Sequence, residues 1–136
     1  MSEKFSVRFL KEGDYEAMLP WFKWWRFPAP PKDMLPENGL GGVMVKTSDI
    51  DVCAGFLYFT NSKTVWIEFV VSNPEYREKD RVEAVRELLI QLKTIAKGKG
   101  MKYAFMSVKN EWLIKHLESV GFIAGSKNTS EMFAVL

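Results

Sequence analysis

The feature that most constrains the fold is a strand-type run that passes through a charged break into one long amphipathic pattern. Thr64-Val65-Trp66-Ile67-Glu68-Phe69-Val70-Val71 is dense in β-branched and aromatic residues, the composition that suits a pleated, half-buried strand. Ser72-Asn73-Pro74-Glu75 ends it, because proline cannot donate to a strand ladder and asparagine tolerates turn geometry. Val82, Val85, Leu88, Leu89, Leu92, Ile95 and Ala96 then recur at helical spacing, and Gly98 supplies the stop. A further strand-type run, Lys102 to Val108, follows. Strand, crossover helix and strand imply a parallel pair with a right-handed connection.

The loop from Pro74 to Val82 leads into a helix N-terminus, whose unpaired amides make a natural anion site. It carries Arg77, Lys79 and Arg81, but there is no glycine between Asn73 and Gly98 to let the backbone curl around a ligand. Asp80 and Glu83 are spaced as an N-cap pair. Taken alone, the loop favours a self-capped helix behind a solvated charge run over a phosphate-binding turn in degraded form.

At 136 residues, 47% hydrophobic and 26% charged, the chain is expected to form one globular domain over residues 1–136. A net charge of +2 sets up no global field, so nucleic acid is not an expected partner. The single cysteine, Cys53, excludes an internal disulfide and reads as a buried core thiol in a reducing compartment. Met1-Ser2-Glu3-Lys4 leads into alternating residues rather than an apolar signal region, and no apolar stretch reaches membrane-span length. A cytoplasmic domain with no membrane partner is the expectation.

Phe5 to Leu10 alternates as a first strand with Phe5, Val7 and Phe9 inward, and a helix capped by Asp14 follows, carrying Tyr15, Met18, Leu19 and Phe22. Pro20 predicts a short first turn or a kink in it. Trp21-Phe22-Lys23-Trp24-Trp25-Arg26-Phe27 reads mainly as a hydrophobic plug on the sheet, with its cations on the rim and at least one ring exposed at a binding mouth. Trp24 and Trp25 are the substrate-binding candidates. Pro36 to Gly39 is a turn, and Gly42 to Lys46 and Val52 to Thr60 are two strands of a meander. Asn110 caps a helix bearing Trp112, Leu113, Leu117 and Val120, Gly121 ends it, and Phe122 to Ala124 and Glu131 to Leu136 read as closing strands.

This element order, with three local strings, resembles the GNAT acetyltransferase superfamily over almost the whole chain. The strings are Asn73-Pro74-Glu75-Tyr76-Arg77, the helix ending Lys97-Gly98-Lys99-Gly100-Met101, and Asn110 followed eleven residues later by Gly121-Phe122. Size and texture are similar to small GNAT-like proteins encoded by bacteriophages. The resemblance implies an α/β (α+β) domain with a mixed, splayed central sheet of about 6–7 strands flanked by about 3–4 helices. It implies acetyl-coenzyme A as cosubstrate, with the pantetheine arm on the backbone of Val70 and Val71. The pyrophosphate would lie at Arg77, Lys79, Arg81 and Val82, and Asn110 near the thiol end. Asp80 and Val82 stand where the family has small residues, one extra residue separates Val71 from Pro74, and Leu117 replaces the usual proton-donating tyrosine.

Acetyl transfer to an amine needs a proton acceptor, and Glu68, expected on the face of Trp66 and Val70, is the candidate catalytic base. Tyr58 and Tyr103 are substitute acids; His116, beside Leu117, reads as a surface or partly packed imidazole. Two functions stay open. One is an N-acyltransferase acting on a small-molecule amine, a protein amine or a modified nucleobase, with a homodimer left open. The other is a non-catalytic GNAT-like interaction protein that has lost the cofactor site and uses Trp21 to Phe27 as a contact surface.

Overall fold

The computed structural model describes residues 4–136; Met1 to Glu3, part of the expected non-signal start, lie outside the described residues. The elements are β1 (Ser6–Phe9), α1 (Asp14–Trp24), β2 (Gly42–Lys46), β3 (Asp51–Phe59), β4 (Thr64–Ser72), α2 (Arg81–Gly98), β5 (Tyr103–Phe105) and α3 (Glu111–Ser119). Two 3₁₀ turns, Lys32–Met34 and Pro36–Gly39, lie between α1 and β2. The five strands form one mixed sheet in the order β1-β2-β3-β4-β5, antiparallel except for the parallel β4–β5 pair that the crossover through α2 requires.

Alternation along the strands separates two apolar layers. Val43, Val45, Cys53, Leu57, Val65 and Ile67 face α2, whose Val85, Leu88, Leu89 and Leu92 are buried against them. Met44, Ala54, Phe56 and Val71 face the other way, onto Met18, Trp21 and Phe22 of α1. α1 runs through Pro20 as one helix, so the expected kink is not a break. Its N-cap is Gly13 and no side chain caps it. Asp14, expected there, instead takes a two-pronged ion pair from Arg8 at 2.7 and 3.0 Å and a bond from the Lys11 amide. Phe5 is buried but Phe9 is 70% exposed, so the inward face of β1 is shorter than its alternation suggests. Cys53 is fully buried, and burial pushes its thiol well above the ordinary range.

The sheet has fewer strands than expected. Among the described residues, Phe122 to Ala124 and Glu131 to Leu136 join no strand ladder, and Ile123 and Phe133 are 92% and 80% exposed. Their composition suits a strand, but a strand is stabilised by the neighbour it pairs with, and no described strand pairs with them. β5 is also shorter than the Lys102–Val108 run, because its ladder with β4 ends at the Trp66–Phe105 pair. No helix among the described residues is long and apolar enough to cross a membrane.

Candidate active site

The site grows out of an irregularity in β4. Up to Glu68 the strand alternates regularly: Trp66 lies opposite Tyr58 and Glu68 opposite Phe56, which puts Trp66 and Glu68 on the α1 side. Then the register slips. Phe56 pairs with Glu68 but Ala54 with Val71, so two residues of β4 oppose Gly55, and Phe69 takes φ 55°. This is a β-bulge, one extra residue that re-aims everything after it. Phe69 and Val71 join the α1-side cluster, while Val70 turns to the α2 side. Glu68 therefore shares its face with Trp66, as expected, but not with Val70.

The same region is where the sheet opens. β5 leaves β4 after Trp66, so Ile67 to Ser72 have no strand on that edge. Two side chains reach into the gap: Glu68 Oε1 accepts a bond from the Ser107 amide at 3.3 Å, and Trp25 Nε1 donates to the Ser72 carbonyl at 2.8 Å. Glu68 is half-buried, and burial raises its carboxyl above the ordinary value, aided by the charge of Glu131 and opposed by the Ser107 amide. Burial and the Glu68 charge push Tyr58 up to about 12, and its hydroxyl donates to the Met34 carbonyl. Around these groups runs a floor of rings. Phe27 meets Phe69 edge-on at 6.3 Å, Phe69 lies 6.5 Å from Tyr58, and Trp66 stacks on Phe105 at 5.1 Å.

The loop after β4 is fixed by its own side chains. Asn73 is buried, donating to the Asp51 carbonyl and accepting from the Glu75 amide. Tyr76 packs on Phe5 and donates to Asp80 at 2.6 Å. Asp80 also pairs with Lys4 at 2.7 Å, and these two partners, Lys4 first, hold its carboxyl below the ordinary range. The carboxylate is thus turned aside, and α2 begins without a side-chain cap, contrary to the self-capped reading. Arg81 N bonds Glu78 O and Ala84 N bonds Asp80 O, which leaves the Val82 and Glu83 amides unclaimed among the described residues. Arg77 lies over the Trp24 ring at 5.7 Å and Arg81 over the Trp25 ring at 5.9 Å, while Lys79 is exposed. The two candidate tryptophans and two of the candidate phosphate cations, Arg77 and Arg81, are therefore paired ring to guanidinium.

No protein-family model and no curated protein matches this sequence. Solved structures do match. An acetyltransferase of Trypanosoma brucei superposes with a TM-score of 0.66 at 20% identity, covering 95% of this chain and 99% of its own. The ribosomal-protein-S18-alanine N-acetyltransferase of Escherichia coli gives 0.72 at 16% identity over 90% and 79%. A putative acetyltransferase of Salmonella typhimurium, solved with its cofactor acetyl-CoA, gives 0.68 at 16% identity over 91% and 82%. The fold is that of the GNAT acetyltransferases. The split between β4 and β5, the bulge and the α2 N-terminus are the parts of this GNAT fold that meet at one place.

The remaining candidates stand further out. Asn110 caps α3, its Oδ1 accepting from the Trp112 and Leu113 amides at 2.8 and 3.2 Å, so only its amide nitrogen is left for a ligand. Leu117 is buried in the α2-side core. His116 packs edge-on against Trp112 at 4.3 Å and takes no part in the site. Tyr103 pairs with Thr64, four residues along the strand from Glu68. Of the aromatic segment, Trp21 and Phe22 are core, and Trp24, Trp25 and Phe27 are exposed. Phe27, Phe69 and Phe105 were not singled out by the sequence reading. Phe105 lies in the Lys102–Val108 run that the sequence marks as a strand, but its place beside Trp66 follows from the β4–β5 register, which the sequence does not set.

Proposed function

We propose that this chain is a cytoplasmic N-acyltransferase that moves the acetyl group of acetyl-coenzyme A to the nitrogen of an amine. The observation that carries the reading is the uncapped start of α2, ringed by cations and set beside the open edge of β4. That donor set suits a pyrophosphate: Arg77, Lys79 and Arg81 supply charge, and the Val82 and Glu83 amides supply donors along the helix dipole. Asp80, the residue most at odds with such a ligand, is held aside by Tyr76 and Lys4. The free backbone edge of β4 at Val70 and Val71 would take the pantetheine arm, and the amide nitrogen of Asn110 the thiol end.

When bound, acetyl-coenzyme A supplies the thioester carbonyl carbon: the amine nitrogen bonds to it, the carbon–sulfur bond breaks, and its electron pair leaves on sulfur. Glu68 accepts the proton the amine gives up, and its raised carboxyl brings it nearer to the pKa useful for that work. α3 carries no tyrosine to protonate the leaving group, and none is required: a thiolate is a weak enough base to depart ionised and to be protonated by solvent afterwards. Trp24 and Trp25, lying under Arg77 and Arg81, would line the diphosphate end of the site rather than the acceptor end.

Calorimetric titration of the full chain with acetyl-coenzyme A tests the reading. We expect micromolar binding, weakened about tenfold or more by Arg77→Ala with Arg81→Ala, and not weakened by Asp80→Gly. No binding by either the native chain or Asp80→Gly sinks the transferase reading and leaves a GNAT-like interaction protein with Trp21 to Phe27 as its contact surface.

A further inference from the structure

We infer that the acceptor is a ring-bearing primary ammonium, an arylalkylamine in the broad sense, with its ring on the Trp66–Phe105 wall and its cationic head at Glu68. The inference deepens the acetyl-transfer reading, on which it rests for the chemistry but not for the binding.

α1 covers only part of its side of the sheet. Its buried side chains cover Met44, Ala54, Phe56 and Val71; toward β5 the same face continues as Tyr58, Trp66 and Phe105. There Trp66 and Phe105 remain 37% and 54% exposed, stacked on each other and open to solvent. Large rings that line a sheet face without an element above them form an apolar patch of the kind that binds something. Two stacked rings make a wall suited to one further flat group.

Glu68 gives the patch its polarity. It lies two residues from Trp66 on the same face, roughly 7 Å along the strand. Three other carboxylates that are partly or wholly buried have cations: Asp14 and Asp51 share Arg8, and Asp80 has Lys4. Among the described residues, no lysine, arginine or histidine pairs with Glu68; its hydrogen-bond partner there is the Ser107 amide, on one oxygen. A half-buried carboxylate on the same sheet face as an exposed tryptophan two residues away is the complement of an ammonium, which it can ion-pair while the rings attract the cation and its apolar body. The charge of Glu131 also acts on Glu68, so this end of the site is negative, whereas Arg77, Lys79 and Arg81 make the other end positive. An anionic cosubstrate and a cationic acceptor are thereby sorted to opposite ends, and an anionic or neutral acceptor gains nothing from Glu68.

The test is ligand-observed NMR titration of the full chain, with and without coenzyme A, using phenethylamine, butylamine (the head without the ring) and 2-phenylethanol (the ring without the charge). We expect phenethylamine to bind on the order of tenfold more tightly than either control. Glu68→Gln should remove its advantage over 2-phenylethanol, and Trp66→Ala its advantage over butylamine; both positions are partly exposed, and circular dichroism checks that each variant is folded. Equal binding of phenethylamine and butylamine, or of phenethylamine and 2-phenylethanol, overturns the inference, as does a preference that Glu68→Gln leaves intact. Acetyl-transfer assays with the same amines separate it from the reading beneath it. Preferential binding without transfer sinks the transferase and keeps the ammonium site; equal transfer to butylamine does the reverse.

Discussion

Arg8 and Asp14 show how a single pair can be read for stability. Burial alone would raise the Asp14 carboxyl, but the Arg8 guanidinium and the Lys11 amide outweigh it and hold the group below the ordinary range. A carboxyl depressed in the folded state adds stability above its unfolded pKa and loses it as pH falls through the folded value. Asp14→Asn should therefore cost about 2–3 kcal/mol in urea unfolding at pH 7, since it leaves a partly buried guanidinium underpaired. The gap between variant and native chain should close in acid, at pH values below the ordinary carboxylate range. Glu68 has the opposite sign, its folded carboxyl being raised. If it is the base, kcat/KM should climb with pH through a limb lying above the usual glutamate value, and Glu68→Gln should erase that limb in a pH–rate profile. Glu68 could be picked out from its neighbours in a strand-type run. The facing of Val70 could not, because it depends on a non-glycine residue, Phe69, taking a positive φ that no local pattern announces.

At the scale of elements, β4, the loop and α2 were legible because proline, helical periodicity and a terminal glycine all point the same way. The closing strands were not, since alternation gives a propensity and only a partner makes a strand. Removing residues 131–136 should consequently leave the melting temperature within about 2 °C of the native chain, as these side chains are almost wholly exposed. A larger fall would mean that the segment packs. Gly42 behaves in the opposite way. A Cβ there would run into the Gly55 carbonyl oxygen, inside the β2–β3 ladder, and backbone cannot yield as a side chain can. Gly42→Ala should cost about 2 kcal/mol or more by chemical denaturation, the scale of an overpacked core.

For the whole molecule, the order of elements and the mixed sheet followed from the sequence, and with them the place where strand, loop and helix meet. The aromatic segment was harder to divide, because the same composition serves core and surface. Trp21 and Phe22 seal the α1 layer, whereas Trp24 and Trp25 rest against arginines at the α2 N-terminus. That division depends on where α1 ends, and Arg26, at φ 56°, turns the chain just beyond it.

Cys53 has a practical consequence. The chain's one thiol lies in the middle strand of the sheet, shut away from water and held in its protonated, unreactive form. Alkylating reagents can reach it only when that strand opens, so the rate of its modification in native buffer is a clock for the opening of the core, with no label to engineer. A cysteine placed anywhere on the surface would, for the same reason, be the one site that a dye or spin probe finds.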